Sequence, residues 1–241
     1  MQKKYINNAQ FFDDHATHYG DIAIHDYDYI FINFFKKNPK PHTYLLDIGG
    51  GSGKFAKLVK NNCPDIEVTV IDPSKKLLDK IDDDRIHFLQ GSLPNQIYLG
   101  ESFDYIHVKE VFHHITGPSV KISKELLKKS LFTIKEHIKR DGIVLIHEIF
   151  YESYLFPTLS RNMIFYLLLI QNKLKIRIPV SEFLLGLSVC FYTRSEFQGI
   201  LEGCGFRIKE YHQEYWGDSW KKRAALLKNW GRMLFILEIA K

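Results

Sequence analysis

The chain has 241 residues, 45% hydrophobic and 25% charged, the composition of one folded globular domain with a full core, which excludes a disordered or fibrous chain. Its net charge of +5, from 33 Lys and Arg against 28 Asp and Glu, suits an anionic substrate or a membrane surface but carries no nucleic-acid signature. Three cysteines, Cys63, Cys190 and Cys204, are odd in number and unpaired in spacing, so neither a disulfide framework nor a zinc site is expected.

Residues 3–37 read as helical, with Phe11, Phe12, His15 and Tyr19, then Ile30, Phe31, Phe34 and Phe35, recurring at helical spacing until Asn38-Pro39-Lys40-Pro41 stops them. The first residues lack the apolar core of a signal peptide, which makes the cytoplasm the expected location. A buried strand at 43–48 contains Asp47 and runs into a loop with Gly49, Gly50, Gly51 and Gly53, followed by a helix near 53–61. Such a loop brings bare backbone close to a ligand. A Walker-type phosphate loop fails, because Gly53-Lys54 is followed by Phe55 and Ile48 stands where the first Gly belongs. Gly51, Gly53 and Ala56 do fit a dinucleotide fingerprint. Asp47 is unexplained by it, since a pyrophosphate repels a carboxylate that a cationic ligand would attract.

Further strands are expected at 66–71, closed by Asp72-Pro73-Ser74, at 86–89, followed by Gln90-Gly91-Ser92-Leu93, and at 103–108, followed by Lys109-Glu110-Val111-Phe112-His113-His114. Helices fall near 74–80 and 119–139, and Asp141-Gly142 turns into a fifth strand at 142–149 that carries His147 and Glu148. An apolar segment, 150–192, interrupts the pattern, and its longest apolar run, Met163 to Ile170, is far short of a membrane span. Thr193-Arg194-Ser195-Glu196 is a capping box, Gly203-Cys204-Gly205 ends its helix, and strands at 206–211 and 233–240 complete the chain. This alternation demands an α/β fold with a doubly wound, mostly parallel sheet.

Asp47-Ile48-Gly49-Gly50-Gly51-Ser52-Gly53 resembles the first motif of class I S-adenosylmethionine-dependent methyltransferases, and the later landmarks resemble that family in order. The resemblance implies a Rossmann-like seven-stranded sheet with helices on both faces, an N-terminal helical cap (1–41), a cofactor-binding core (42–149), a helical substrate lid inserted after the fifth strand (150–192) and a closing part of the core (193–241). It implies S-adenosyl-L-methionine as cofactor, held by Asp47, Gly49, Gly51 and Gly53, with Asp72 on the ribose beside Pro73. Gly91, Ser92 and Leu93 would border adenine, although the family often has an acid at the position of Ser92. Lys109 would present backbone near the methyl donor. Phe11 to Gly20 looks like the family's N-terminal cap, where Tyr19 would reach the methionine end or simply pack in the core. The three cysteines do not form the cluster motif of radical enzymes that use the same cofactor.

Methyl transfer from a sulfonium needs alignment, desolvation and, for a protonated nucleophile, a base with a pKa near working pH. His113 and His114 after the fourth strand, and His147 on the fifth, are the candidates. These pairs show no metal-ligand spacing, and no metal is expected. Neither the Asp/Asn-Pro-Pro-Tyr/Phe motif of base-amine methylases nor a Pro-Cys nucleophile is present, so no nucleic-acid partner is expected. The expected acceptor is a small, apolar or aromatic metabolite, methylated on O, N or C. The segment 150–192 would cover it, touch a membrane peripherally, or form a homodimer contact or part of the core. The rival readings are a nicotinamide-dependent oxidoreductase and a non-catalytic cofactor-binding subunit.

Overall fold

Alternating apolar residues on the central strands bury both faces of a single sheet, and that alternation sets which helices lie on which side. The computed structural model describes residues 8–17, 24–95, 102–175 and 186–240. The strands are β1 (Thr43–Ile48), β2 (Ile66–Asp72), β3 (Ile86–Gln90), β4 (Phe103–Lys109), β5 (Ile138–Ser153), β6 (Phe206–Tyr215) and β7 (Leu227–Ile239). Their order is β3-β2-β1-β4-β5-β7-β6, parallel except that β7 runs antiparallel between β5 and β6. The order reverses between β1 and β4, so a crevice opens at their carboxyl ends.

On one face, Leu45, Val68, Tyr105, Leu145 and Ile236 pack against Phe31 and Phe35 of α2 (Asp28–Lys37) and Phe55 and Val59 of α3 (Lys54–Asn62). On the other, Leu46, Ile106, Val144 and Phe235 meet Leu127 and Leu131 of α5 (Val120–His137) and Phe197 and Leu201 of α7 (Arg194–Gly203). The short α4 (Lys75–Leu78) follows β2, capped by Ser74. A third, smaller core joins Phe11 of α1 (Ala9–Asp14) to Leu168 of α6 (Leu159–Leu174) and to Leu187, Val189 and Phe191, with Ile149 and Tyr151 of β5 beneath. The N-terminal helix and the inserted helix thus share apolar contacts beyond the carboxyl end of the sheet.

Three expected elements come out differently. The N-terminal stretch expected to be helical over 3–37 shows α1 ending at Asp14 and α2 starting at Asp28, whose carboxylate accepts the His25 amide at 2.9 Å to make a turn before it. β5 begins before the Asp141-Gly142 turn, which is absorbed as an irregularity where the β4–β5 register jumps from Phe103↔Ile138 to Tyr105↔Ile143. The last hairpin is longer than expected, because β6 and β7 pair as far as Tyr215↔Gly231. A Cβ at Gly231 would stand 1.9 Å from the Glu214 carbonyl oxygen, so only glycine admits that close approach. The capping box at Thr193 and Glu196 forms as expected.

Candidate active site

The crevice at the β1/β4 switch point is floored by the glycine loop. Gly49 sits at φ +73° with its amide bonded to the Ile71 carbonyl at 2.6 Å, and a Cβ there would lie 2.2 Å from Val111 Cγ2. Position 49 therefore takes no side chain without moving the loop after β4. Asp47 lies fully buried just before this loop. Its Oδ1 is 2.7 Å from Nδ1 of His107, whose ring stacks on Phe55 with centroids 3.8 Å apart. Asp47 Oδ2 and His107 Nε2 have no protein partner.

Asp72 closes β2 and faces the same crevice. Its carboxylate accepts the Gly51 amide at 3.0 Å and the Ser74 amide at 2.8 Å, tying the two loops together. Burial raises its pKa to about 6, with Asp47 and Asp13 adding to the rise against the pull of the two amides. Asp13 of α1 in turn accepts the Ser74 hydroxyl at 2.6 Å, and Lys80 reaches the Ala16 carbonyl at 2.8 Å, so the N-terminal helix is docked onto the β2–α4 loop.

The opposite wall comes from the 3-10 turn Phe112–His114. His114 lines the crevice, edge-on to Phe12 at 5.0 Å, and its Nδ1 is buried without a partner. Burial, with the charge of His113 added, holds its pKa well below the usual histidine range, so the ring is neutral near pH 7. Asn8 joins this wall across the chain, donating to the His114 carbonyl at 3.0 Å and the Ser188 carbonyl at 3.2 Å.

The crevice brings together Asp47, Gly49, Gly51, Asp72, Pro73, Gly91, Ser92, Leu93, Lys109 and His114. The remaining candidates lie elsewhere. Gly53 stands behind the loop against Ile81, as the left-handed N-cap of α3. Lys109 turns its ammonium away, to both oxygens of Asp28 at 2.8 Å. His113 is behind the wall, its Nδ1 2.5 Å from Glu148 Oε1 and its ring stacked on Phe191. Burial pushes the His113 pKa down, but the charge and hydrogen bond of Glu148 outweigh it and the net shift is upward. Glu148 also accepts the Phe112 and His113 amides, at 2.8 and 3.2 Å, so this pair holds the turn that presents His114.

His147 is not at the mouth of the crevice. Strand alternation sends it to the α2 face, fully buried under Tyr27 with ring centroids 4.4 Å apart and neither nitrogen hydrogen-bonded. Burial, with Lys109 and Arg232 nearby, holds its pKa well below the usual range. Tyr19 lies outside the described residues. Among the described residues, no three His, Cys, Asp or Glu side chains gather as a metal-binding group. His107, Asn8 and Asp13 escaped the sequence reading. His107 alone left a sign there, a polar residue inside the apolar run Tyr105 to Val108.

Comparison with known proteins places the fold in a family. A family model described as a methyltransferase domain matches residues 23–211. A curated relative, (+)-6a-hydroxymaackiain 3-O-methyltransferase 2 of Pisum sativum, is 30% identical over 105 residues, covering 44% of this chain and only 27% of the relative's length. Two solved structures share the fold. The [4+2]-cyclase SpnF superposes with a TM-score of 0.62 at 15% identity, covering 96% of this chain and 95% of its own. An S-adenosylmethionine-dependent methyltransferase from Clostridium acetobutylicum superposes with a TM-score of 0.60 at 12% identity, covering 97% and 98%. With most of its length matched by the family model and the expected seven-stranded Rossmann-like sheet in place, the chain belongs to the methyltransferase-domain family of class I.

Proposed function

We propose that this chain transfers a methyl group from S-adenosyl-L-methionine to a small, apolar or aromatic acceptor, with oxygen as the favoured atom. The observation that carries the reading is one crevice lined by a buried carboxylate with a spare oxygen and a half-buried, neutral imidazole whose shielded Nδ1 is spare. The residues fit the cofactor, because Asp47 Oδ2 lacks a partner and the bare loop backbone leaves it uncovered: a Cβ at Gly50 would stand 2.5 Å from that oxygen. When bound, the cofactor supplies an electrophilic methyl group on a positively charged sulfur.

Asp47, Gly49 and Gly51 would hold its amino-acid end, Asp72 and Pro73 its ribose, and Gly91, Ser92 and Leu93 its adenine. Gly53 keeps the loop in shape, and Lys109, pinned by Asp28, fixes the backbone after β4. His114 takes a proton from the acceptor at Nδ1, and its depressed pKa keeps that atom available. Phe12 and Ile115 exclude water from the same wall. Residues 1–41 act as cap and 150–192 as lid, sharing the small core around Phe11 and Leu168. The preference for oxygen draws support from the Pisum sativum relative, whose name is that of an O-methyltransferase. Family membership takes the place of the nicotinamide-dependent alternative.

Calorimetric titration with S-adenosylmethionine, its demethylated product and a nicotinamide dinucleotide tests the cofactor. Labelled-methyl transfer to a panel of phenols and other apolar acceptors tests the reaction. Binding of the first two and methylated product are expected. Nicotinamide binding alone would overturn the cofactor assignment, and cofactor binding without product from any acceptor would leave a non-catalytic subunit.

A further inference from the structure

The loop between β5 and α6 carries Tyr154, Leu155 and Phe156 at its tip, 67%, 76% and 69% exposed. Three consecutive large apolar side chains held in water are costly, and a single-domain protein normally buries or covers them. This tip is fastened to a second exposed element. The Tyr154 amide and the Ser160 hydroxyl both donate to the Leu226 carbonyl, at 3.4 and 3.1 Å. Leu226 is itself exposed and ends the turn of α8 (Trp220–Ala224), where Trp220 is 62% exposed beside Lys221, Lys222 and Arg223. Aromatic and leucine side chains thus stand next to a cluster of cations.

From the same tip, α6 continues for 16 residues. Phe165 and Leu168 point inward and are buried, while Met163, Tyr166, Leu167, Ile170 and Leu174 recur at helical spacing on its exposed side. Residues 154–175 contain Arg161, Lys173 and Lys175 and no Asp or Glu, and Asp218 is the single acid between residues 216 and 231. Arg161 is buried against Glu196, but Lys173 and Lys175 lie at the end of the helix. No helix among the described residues is long and apolar enough to cross a membrane.

We propose that this face, the 154–156 tip with α8 and the outer side of α6, docks on the surface of an anionic lipid bilayer. The apolar side chains enter the headgroup boundary, and Lys173, Lys175 and the exposed Arg223 meet the lipid phosphates and carboxylates, while Lys222 stays paired with Asp218 at 2.6 Å. Charge decides against a second copy as the occupant. A two-fold contact through this face would set basic segment against basic segment, whereas anionic lipid complements it. The proposal stands apart from methyl transfer, since none of these residues lines the crevice.

Flotation of the full chain with phosphatidylcholine vesicles, with and without phosphatidylserine, tests it. The double variant Leu155→Ser/Phe156→Ser and the single variants Arg223→Gln and Lys173→Gln are run beside the parent, with S-adenosylmethionine titration and thermal melting as checks on folding. Binding is expected only to the serine-containing vesicles. It should weaken by about fivefold for each cation removed, fall further at high salt, and be lost in the double variant, whose melting and cofactor titration stay at parent values. Absence of vesicle binding by the folded parent, or equal binding to both vesicle types, would overturn the proposal. So would a concentration-dependent dimer in sedimentation that the double variant abolishes, which would assign the face to a second copy.

Discussion

At the end of the crevice proposed to hold the methyl donor, Asp47, Gly49 and Gly51 come from one short stretch, and the loop's amides tie to the end of the next strand, Gly49 to Ile71 and Gly51 to Asp72, with His107 bracing Asp47 from across 60 residues. At the acceptor end, Asn8 reaches His114 across 106 residues and Ser188 across 180, and Glu148 reaches His113 across 35. The donor end is a backbone device, in which glycine dihedrals and amides do the shaping. The other end is assembled from side chains of separate elements, held by packing and by the hydrogen bonds of Asn8 and Glu148. A backbone cradle suits an invariant cofactor. A wall of converging side chains can be altered residue by residue, which suits the part of a site that selects an acceptor.

The sharpest way to separate the two ends is His114→Ala. It should lower kcat by about a hundred- to ten-thousandfold, the usual worth of a general base, while the cofactor Kd measured by calorimetry stays within about twofold. A change confined to KM would reduce His114 to a wall residue. Glu148→Ala attacks the support behind it, leaving a buried His113 with no partner, and should cost about 3–5 kcal/mol of stability, read as a lowered Tm. An unchanged Tm would mean that the turn at Phe112–His114 does not depend on the pair.

Donor-end changes should have the converse signature. Gly49→Val introduces a left-handed φ penalty and a clash with Val111, and cofactor affinity should fall by roughly a hundredfold. Retained affinity would show that the loop after β4 gives way. Because the Asp72 pKa lies near 6, its carboxylate is protonated as pH falls through that value. Cofactor affinity should therefore be flat above about pH 6 and fall by up to about tenfold per pH unit below it. The raised pKa also means that the folded apo protein keeps a proton the unfolded chain releases between about 6 and 3.8, so this group favours folding increasingly as pH drops through that window. The smallest effect is expected from His107→Leu, which frees Asp47 Oδ1. A loss of about fivefold in cofactor affinity, partly restored in His107→Asn, corresponds to one net hydrogen bond.

How far the sequence could be read follows the same division. The strands that form the donor end, Thr43–Ile48, Ile66–Asp72 and Phe103–Lys109, lie within a residue of expectation, because each is a short β-branched or aromatic run bounded by turn residues. Asp141-Gly142 misled, since a turn signal inside a strand is absorbed as an irregularity when pairing with β4 resumes beyond it, from Ile138 before to Ile143 after. The N-terminal aromatics read as helical over 3–37, but helical spacing does not show the turn before α2, which Asp28 stabilises by accepting the His25 amide. His113 and His114 are neighbours with the same local signal, and only the turn between them decides which faces the crevice.

The sequence by itself determined the glycine loop, the two acids Asp47 and Asp72, the order of strands and helices, and hence the class of fold. All of these depend on backbone conformation and on contacts within one βαβ unit. The tertiary structure decided that His147 belongs to the α2 face, that Glu148 supports rather than lines the wall, that His107 braces Asp47, and that Asn8 closes the acceptor end. Those assignments depend on which face of the sheet each helix covers and on contacts between residues far apart in the chain, which local pattern does not encode.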